Sequence, residues 1–360
     1  MDKRSIHFVV PGTIQRKTGG YGYDRRIIDG LRKRGRDVRL HELEGRFPRP
    51  DATAVTAATN MIESALDGAL VIVDGLALPA FASLVERNAP RLCIIALIHH
   101  LLADETSLDD ADRCVLGEIE IRCLGAARSV IVTSPTTATS VLRAGVSRKN
   151  ISVVTPGTKP VSTAIIPDCD ETGPLRLLSV GSVIPRKGYR ILISALAACR
   201  TRDWRLTIVG SLRADSATTA EVRELIDRED LVDRIHLTGE LDDAQLQAEY
   251  RRADVFVLAS EFEGYGMAFA EAMAQSLPIV GSGGGAVADT VQADCGLLVP
   301  VGDAAALTDA LDRVMTDAPL RCGLAAGAAR AGRQLPSWGA AAAKFDTVLE
   351  AAIRATPLTV

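Results

Sequence analysis

The sequence predicts an α/β protein built from two domains, each with a parallel sheet that helices cover on both faces. Three observations predict this class. Short apolar runs of strand length alternate with helix-like segments along almost the whole chain. A segment rich in proline and glycine interrupts this alternation near the middle. The length of 360 residues also exceeds that of most single domains.

The first half of the chain alternates strand-like runs with helical stretches. The runs are apolar, which is typical of strands that are buried on both faces of a sheet. Helices are predicted between them, for example at Tyr23–Arg34 and Leu116–Ala126. The predicted strands are Ile6–Val10, Val38–Leu40, Leu70–Val73, Leu92–Ile98, Ser129–Val132 and Ile151–Val154.

The second half repeats the pattern after a predicted linker. Proline, glycine and polar residues are dense in Thr155–Pro160 and Ile166–Pro174, which indicates the linker. Helices follow at segments such as Thr219–Glu229 and Asp303–Met315. Both halves are therefore predicted to be Rossmann-like. The predicted strands are Leu175–Val180, Trp204–Val209, Arg234–Leu237, Val255–Ala259, Pro278–Val280 and Gly296–Val299.

These patterns place the domain boundaries. The first domain is predicted at residues 1–165 and the second at residues 172–335. A last helix, within residues 336–360, follows Ser337, which is a favourable N-cap residue. Trp338 at the start of this helix is interpreted as a packing residue.

Composition indicates a water-soluble protein of the cytoplasm. Hydrophobic residues make up 47% and charged residues 24% of the chain, as in ordinary globular proteins. No apolar run approaches the roughly 20 residues of a membrane-spanning helix. The seven cysteines are scattered, and we expect them to be reduced, which is usual in the cytoplasm.

The charge is uneven along the chain. Residues 1–50 carry thirteen Lys or Arg and six Asp or Glu, although the whole chain has a net charge of −4. The basic residues concentrate in Asp24–Arg36. A solvated helix face is one interpretation, and a peripheral contact with the anionic inner face of a membrane is the other. Nucleic acid is not a predicted partner, because no aromatic stacking residues interleave these charges.

The most informative segment runs from Ser260 to Ala274. It follows a strand-like run, at the end of the strand where open α/β sheets bind ligands. Gly264 and Gly266 allow a ligand to approach the backbone closely. A helix is predicted to begin near Met267, where its unpaired N–H groups favour a phosphate.

Two carboxylates in this segment, Glu263 and Glu271, are separated by seven residues. Eight residues of helix rise about 12 Å, so the two groups cannot share a proton. They can instead hold two parts of one long ligand, such as a sugar and a ribose. The alternative is a polar loop followed by a glutamate on a solvated helix face.

The segment resembles the E-x7-E signature of retaining glycosyltransferases, in particular family 4 of the GT-B fold. The likeness extends through most of residues 175–315 and, more loosely, through the first half. It implies two facing Rossmann-like domains, with a C-terminal helix that crosses back to the N-terminal domain. It also implies that Glu263 faces the transferred sugar and Glu271 the nucleotide ribose. The backbone expected at the donor is that of Gly264, Tyr265, Gly266 and Met267.

A second segment, Ser179–Gly188, lies between a predicted strand and helix. Its Arg186 and Lys187 bring positive charge to a helix start, which suits a diphosphate. The family holds the diphosphate there with an Arg and a Lys. Lys187 matches the Lys, whereas the Arg position holds Ser182, and Arg186 is the expected substitute.

Three further candidates are glycine positions. Gly19 and Gly20 match a family loop that closes over the donor sugar. A nicotinamide site is disfavoured there, because the preceding loop is long and Arg25 occupies the position of the third glycine. Gly239 matches a family glycine near the nucleobase. Gly281–Ala286 is predicted to be either a flexible loop or a close backbone contact with the ligand.

His99 and His100 end a strand-like run, and family members often carry a histidine there that touches the transferred sugar. Successive strand residues point to opposite faces, so only one of the two is expected to face the ligand, and we favour His99. Asp74, beside Gly75, is interpreted as a lone acid, and no metal site is predicted.

The predicted function is that of a hexosyltransferase, with His99, Glu263 and Lys187 as the catalytic residues. The resemblance implies a UDP- or GDP-hexose as co-substrate, retention of configuration, and independence of metals and other cofactors. The acceptor is a glycan, lipid-linked or a small molecule. One alternative is a non-catalytic nucleotide-sugar-binding subunit, for which Ser182 is the argument. Another is a different enzyme of the same fold, such as a nucleotide-sugar epimerase or a phosphorylase.

Overall fold

The computed structural model describes residues 5–105, 108–159 and 173–354 of the chain. Its chain forms two compact units, Met1–Gly157 with Pro336–Val360, and Thr158–Leu335. The sequence placed the end of the first domain at residue 165 and the start of the second at residue 172. Both positions, and most of the predicted linker, lie outside the described residues.

The first unit contains a parallel sheet of six strands among its described residues, in the order β2-β1-β3-β4-β5-β6. The central strands are buried on both faces, because helices cover both sides of a sheet whose strands are apolar throughout. All predicted strands of this half are present. Their bounds are β1 Ile6–Pro11, β2 Val38–Leu43, β3 Leu70–Asp74, β4 Cys93–Ile98, β5 Ser129–Val132 and β6 Ile151–Val153.

Helices connect these strands. They are α1 Gly19–Lys33, α2 Ala52–Ser64, α3 Ala82–Asn88, α4 Asp110–Ala126 and α5 Pro135–Arg143, with short 3₁₀ turns at Gly75–Phe81, Leu102–Asp104 and Arg148–Asn150. The start of α1 differs from the prediction. Gly19 and Gly20 form its first turn and are not a loop. Glycine is a poor helix former, so the pattern placed the start too late at Tyr23.

The second unit repeats the architecture, with described strands in the order β12-β11-β10-β7-β8-β9, all parallel. The strands are β7 Leu175–Val180, β8 Trp204–Val209, β9 Ile235–Gly239, β10 Val255–Leu258, β11 Ile279–Ser282 and β12 Gly296–Val299. The helices are α6 Tyr189–Ala198, α7 Ser216–Arg228, α8 Asp243–Arg252, α9 Met267–Ala274, α10 Val287–Thr290, α11 Ala304–Thr316 and α12 Ala318–Gly332, with a 3₁₀ turn at Pro185–Lys187.

The last helix, α13 Trp338–Arg354, returns to the first unit and packs against α1. Ser337 caps it, because its hydroxyl accepts a hydrogen bond from the Ala340 N–H at 3.2 Å. Trp338 packs as predicted. Its ring meets that of Tyr23 at 6.0 Å between centroids, and the guanidinium of Arg26 lies 5.2 Å from its ring centre.

Two basic residues just after α1, Arg34 and Arg36, contribute to this packing. Arg36 is buried and bonds to Asp346 at 2.6 Å and to Glu350 at 2.7 Å, both on α13. Arg34 also reaches Asp346, at 3.0 Å. The segment was interpreted as a solvated face or as a membrane contact. Neither interpretation included the ion pairs that Arg34 and Arg36 form with α13. Sequence spacing could not reveal them, since more than 300 residues separate the partners.

The structure also bears on the expected absence of membrane-spanning helices and on the expected state of the cysteines. In the described part of the chain, no helix combines the length and the apolar character needed to cross a membrane. The expectation that all cysteines are reduced is wrong, because Cys322 on α12 is disulfide-bonded. Cys93, Cys114, Cys123, Cys199 and Cys295 are not in disulfide bonds. Scattered spacing does not reveal a pair, because pairing depends on proximity in the fold.

Candidate active site

The loop after β10 leads directly into α9, as the sequence predicts. Strand β10 lies between β7 and β11, so the loop leaves the carboxyl end of a central strand. Gly266 precedes the helix with φ at +89°, a conformation that side chains rarely adopt. The helix begins at Met267, and its first N–H groups have no partner within the helix.

Glu263 is the centre of a buried charged group in this loop. Its Oε1 accepts hydrogen bonds from the Lys187 ammonium and the Ser260 hydroxyl, each at 2.6 Å. The guanidinium of Arg186 lies 3.6 Å from Oε2. The loop after β10 and the turn after β7 are thus joined by two cations around one carboxylate.

The cations keep Glu263 ionised. Burial disfavours the charge, but Lys187, Arg186 and the two hydrogen bonds outweigh it, so the pKa of Glu263 lies below its usual value. Burial also lowers the pKa of Lys187, and Arg186 adds to this effect, whereas the attraction of Glu263 opposes it. The sequence predicted Lys187 as a phosphate ligand, and here its ammonium bonds to Glu263.

Arg186 is fixed by backbone contacts on both sides. Its guanidinium donates to the Phe262 carbonyl at 2.6 Å, and its own carbonyl accepts from the Glu261 N–H at 2.8 Å. Its Nε is buried and makes no hydrogen bond to any described residue. A buried, unpartnered guanidinium N–H is a donor available for an oxyanion.

The glycines after β11 support the same loop. Gly285 pairs with Glu263 in an isolated parallel bridge, and the Ala286 N–H donates to the Glu263 carbonyl at 2.8 Å. A Cβ added at Gly284 would lie 2.2 Å from the Glu261 carbonyl oxygen. The close backbone contact that the sequence suggested is therefore made with the protein's own loop.

Glu271 lies one turn into α9 and uses different partners. It accepts a hydrogen bond from the hydroxyl of Tyr250 at 3.0 Å, and Tyr250 is fully buried on α8. Burial raises the pKa of Tyr250 well above its usual value, so the hydroxyl stays protonated and donates. Tyr250 was not among the predicted site residues, because a single tyrosine in a helix gives no sequence pattern that marks it as functional.

Two further predicted donor-site residues, Gly239 and Tyr265, lie at the end of a strand and in a loop of the second unit. Gly239 ends β9 with φ at +74°, and a Cβ added there would meet nothing within 4 Å among the described residues. Tyr265 is buried, and its carbonyl accepts a hydrogen bond from the Thr290 hydroxyl at 3.0 Å. The open space at Gly239 is compatible with a ligand, and its role at a nucleobase stays a prediction.

In the first unit, His99 follows β4 and lies between two buried carboxylates. Its Nε2 is 3.2 Å from Oδ1 of Asp24 on α1 and 3.4 Å from Oδ2 of Asp74 at the end of β3. Gly20 leaves room for the ring, because a Cβ there would lie 3.2 Å from Cδ2 of His99. The ring of Tyr23 meets the imidazole edge-on at 5.3 Å. Asp74 is therefore not the lone acid that the sequence suggested.

The two carboxylates decide the charge of His99. Burial, the largest single influence, disfavours the imidazolium, yet Asp24 and Asp74 together raise its pKa to about 10. Burial likewise raises the pKa of Asp24 to about 6, although His99 opposes this. The three donor atoms lie within 4.8 Å of one another, a spacing that also occurs around metal ions. The expectation that the chain has no metal site stays a prediction, and an imidazolium at His99 is one charge that would balance the two carboxylates.

The neighbouring His100 has a separate environment. Its Nε2 lies 3.0 Å from Glu105, outside the group around His99. The two histidines, which both follow the end of β4, thus contact different acids. Which of them contacts a ligand stays a prediction, and the structure describes His99 as the one beside Gly20.

The matches with known proteins agree with this architecture. Residues 169–330 match the family model described as Glycosyl transferases group 1. That region contains Lys187, Glu263 and Glu271 and coincides with most of the second unit. This region is therefore similar to the group 1 glycosyl transferases.

Among curated relatives, the MMP alpha-(1->4)-mannosyltransferase of Mycolicibacterium hassiacum is 32% identical over 182 residues. The match covers 49% of this chain and 43% of the relative. This chain therefore matches less than half of the length of that relative.

Solved structures resemble almost the whole chain. Sucrose-phosphate synthase from Thermosynechococcus elongatus superposes with a TM-score of 0.81 at 24% identity, covering 98% of this chain and all of the other. Anabaena Alr3699/HepE, in complex with UDP and glucose, gives a TM-score of 0.75 at 16% identity, covering 97% of this chain and all of the other. At these identities the likeness establishes the fold, which is GT-B.

Proposed function

We propose that the protein transfers a hexose from a nucleoside-diphosphate sugar to an acceptor, with retention of the anomeric configuration. One observation carries the proposal. Glu263, Lys187 and Arg186 form a buried charged group at the carboxyl ends of β7 and β10, directly before the N-terminus of α9. Ligands of open α/β sheets bind at this end of the strands.

The diphosphate is the part of the donor that this group would bind. The backbone of Gly264–Met267 and the start of α9 offer N–H groups, and the unpartnered Nε of Arg186 offers a charged donor. Lys187 shares its charge between Glu263 and the phosphates. As the sugar leaves, negative charge develops on the diphosphate, and preorganised cations stabilise it most effectively.

The remaining predicted residues take separate parts of the donor. Glu263 would accept from hydroxyls of the transferred sugar, and Glu271, oriented by Tyr250, from the ribose hydroxyls. Gly239 would lie at the nucleobase. In the first unit, Gly19, Gly20 and His99 would contact the transferred sugar and the leaving phosphate.

Retention is proposed from the resemblance to retaining glycosyltransferases, and the residues around Glu263 bear on the route by which it is achieved. Glu263 is paired with cations and a hydroxyl, which lowers its nucleophilicity, so a glycosyl-enzyme intermediate of the glycosidase kind is disfavoured. We propose instead that the acceptor attacks from the face that the diphosphate leaves, and that a phosphate oxygen takes the acceptor proton. No metal or other cofactor enters this proposal.

The donor is a UDP- or GDP-hexose. HepE is described with UDP and glucose, which supports UDP as a candidate base, and GDP stays the alternative that the resemblance leaves open. The acceptor is a glycan, lipid-linked or a small molecule. We place the protein in the cytoplasm, with a peripheral membrane contact restricted to the exposed Arg32 and Lys33, since Arg36 is buried against α13. Sedimentation with anionic vesicles tests this contact, and an unchanged distribution of Arg32→Gln/Lys33→Gln would exclude it.

A non-catalytic nucleotide-sugar-binding subunit is the second candidate. Ser182 is the observation in its favour, because it occupies the position at which the family places an Arg on the diphosphate. Donor binding without turnover, for every acceptor offered, would favour this candidate.

The experiment is thermal stabilisation with UDP, GDP and a panel of their sugars, followed by turnover assays. A ligand at a hundred times its dissociation constant adds about 2.7 kcal/mol to stability. We expect one base to stabilise the wild type. Glu271→Gln keeps an acceptor for Tyr250 but loses the charge, so binding should weaken about tenfold or more.

Glu224→Gln is the matched control, because Glu224 is exposed on α7 of the same unit. It should bind as the wild type does. If no nucleotide stabilises the wild type, the donor site is not the one described. If Glu224→Gln and Glu271→Gln weaken binding equally, the assignment of Glu271 to the ribose is wrong.

A further inference from the structure

The imidazole of His99 contacts two buried carboxylates through the same ring nitrogen. A single ring nitrogen, Nε2, faces carboxylate oxygens of both Asp24 and Asp74, at 3.2 and 3.4 Å. An ionised carboxylate only accepts hydrogen bonds, so Nε2 must carry the proton. Both aspartates are buried, on different elements, and the imidazole keeps 18% of its surface exposed.

Charge balance favours the imidazolium over the neutral ring. Two carboxylates that converge on one buried nitrogen repel each other unless a positive charge lies between them. Arg25, whose charge acts on Asp24, donates its own hydrogen bonds to the carbonyls of Ile14 and Arg16. His99 is the cation that touches both acids.

The tyrosines and the glutamate near Asp24, Asp74 and His99 do not supply a competing positive charge. Tyr21 on α1 donates to the Pro11 carbonyl, and burial raises its pKa to about 12, so it stays neutral. Tyr23 is buried and neutral for the same reason. Glu120 on α4 is buried, and its pKa is raised to about 8, first by burial and in small part by Asp74. Among the described groups, Arg25 is the other cation that acts on Asp24.

We propose that Asp24 and Asp74 are positioning residues that hold His99 as a doubly protonated imidazolium, whose Nδ1–H donates to the transferred sugar. The proposal rests on the proposed function for that last contact. Nδ1 makes no hydrogen bond to any described residue, and Gly20 and Tyr23 limit the orientation of the ring. His99 then acts as a cationic hydrogen-bond donor throughout the reaction and never as a general base.

This role has a chemical consequence. A permanent imidazolium stabilises negative charge on the leaving phosphate or orients a sugar hydroxyl, but it cannot accept the acceptor proton. The proton must then go to a phosphate oxygen, which is the route that the proposed front-face reaction requires. The two aspartates would thereby decide which group serves as the base.

The test is nitrogen-15 NMR of the histidine rings across pH 6–9. The His99 signals are identified by their absence in His99→Gln. We expect both ring nitrogens of the wild type to remain protonated over this range. In Asp24→Asn and in Asp74→Asn the pKa of His99 should fall by one unit or more, since one adjacent carboxylate shifts a pKa by about 1–3 units. Glu63→Gln, which changes an exposed carboxylate on α2, should not move the signals.

Kinetics with the donor established by the nucleotide panel completes the test. In Asp24→Asn and Asp74→Asn, kcat should decline as the pH rises through the lowered pKa of His99, whereas Glu63→Gln and the wild type keep a flat profile there. A neutral His99 ring in the wild type at pH 7 would overturn the proposal. So would a specific response of its signals to added Mg²⁺ or Mn²⁺, or flat kcat profiles in both aspartate variants.

The two proposals fail separately. The NMR measurement needs no substrate, so an inactive protein with an imidazolium at His99 removes the sugar contact and leaves the ion-pair assignment intact. An active protein with a neutral His99 refutes the inference and leaves the transferase in place. If an aspartate variant does not fold, the wild-type titration alone still decides the charge of His99.

Discussion

The ammonium of Lys187 bonds to the carboxylate of Glu263 at 2.6 Å, and this contact joins the turn after β7 to the loop after β10. Both side chains are largely buried, with 13% and 10% of their surfaces exposed. A buried pair of this kind fixes the geometry of two loops at once. Losing either partner leaves an uncompensated charge inside the protein.

We therefore predict that Lys187→Met and Glu263→Gln each destabilise the protein by about 3 kcal/mol in urea unfolding. The double variant should cost much less than the sum, because the second change removes the charge that the first left unpaired. Asp243→Asn is the control, since its bond to Lys159 is exposed, with 41% and 73% exposure of the two side chains. It should cost less than about 1 kcal/mol. Additive costs at positions 187 and 263 would show that the pair is not coupled.

The glycines after β11 give a second prediction with an internal control. A Cβ at Gly284 would lie 2.2 Å from the Glu261 carbonyl oxygen, so Gly284→Ala must displace the loop that carries Glu263. At Gly283 the nearest atoms are 4.0 Å away, an ordinary contact. Gly284→Ala should lower the melting temperature and weaken nucleotide binding, whereas Gly283→Ala should change stability by no more than about 0.5 kcal/mol. Equal effects of the two substitutions would contradict this account.

The strands could be predicted almost completely from the sequence. Buried parallel strands such as β3 and β4 are uninterrupted apolar runs, and that pattern leaves few alternatives. The ends of the helices were harder to predict. Helix α1 begins at Gly19, because a first turn tolerates glycine when its N–H groups need no helical partner, and propensity alone does not show this.

The site was predicted in part. Local spacing identified Glu263, Glu271 and the start of α9, because all three lie within one short segment. The residues that contact the predicted site residues lie far from them in the sequence. Asp24 and Asp74 lie on different elements, 50 residues apart in the sequence, and meet only at His99. Tyr250 and the Arg36–Asp346 pair are contacts of the same kind. Such contacts depend on the tertiary structure, and the periodicity of the sequence does not predict which distant residues meet.

The docking of α13 on α1 gives a third prediction. Arg36 has 5% of its side chain exposed and bonds to Asp346 and Glu350, whereas Arg34, with 42% exposed, bonds to Asp346 alone. Arg36→Gln should cost about 3 kcal/mol, because it leaves the buried Asp346 with one partner less. Arg34→Gln should cost under about 1 kcal/mol. Chemical denaturation measures both values, and a larger cost at Arg34 would contradict the assigned burial.

The last prediction concerns the dependence of stability on pH. The folded protein holds the pKa of His99 at about 10, whereas an unfolded chain has about 6.5 for histidine. The stabilisation is therefore complete below pH 6.5 and is lost as the pH rises through 10. Within this window the folded state binds the extra proton, so the free energy of unfolding falls with pH, by at most about 1.4 kcal/mol per unit from this group.

Asp24 contributes little to the pH dependence between pH 6.5 and 10, because its carboxyl has a pKa of about 6 and is largely ionised at higher pH. His99→Gln should remove the decline that His99 causes, and His236→Gln, which changes an exposed histidine on β9, should keep it. Urea unfolding of the three proteins between pH 6.5 and 10 measures the difference. If the curves of the wild type and His99→Gln remain parallel, the imidazolium is not stabilised by Asp24 and Asp74, and the charge assigned to His99 is wrong.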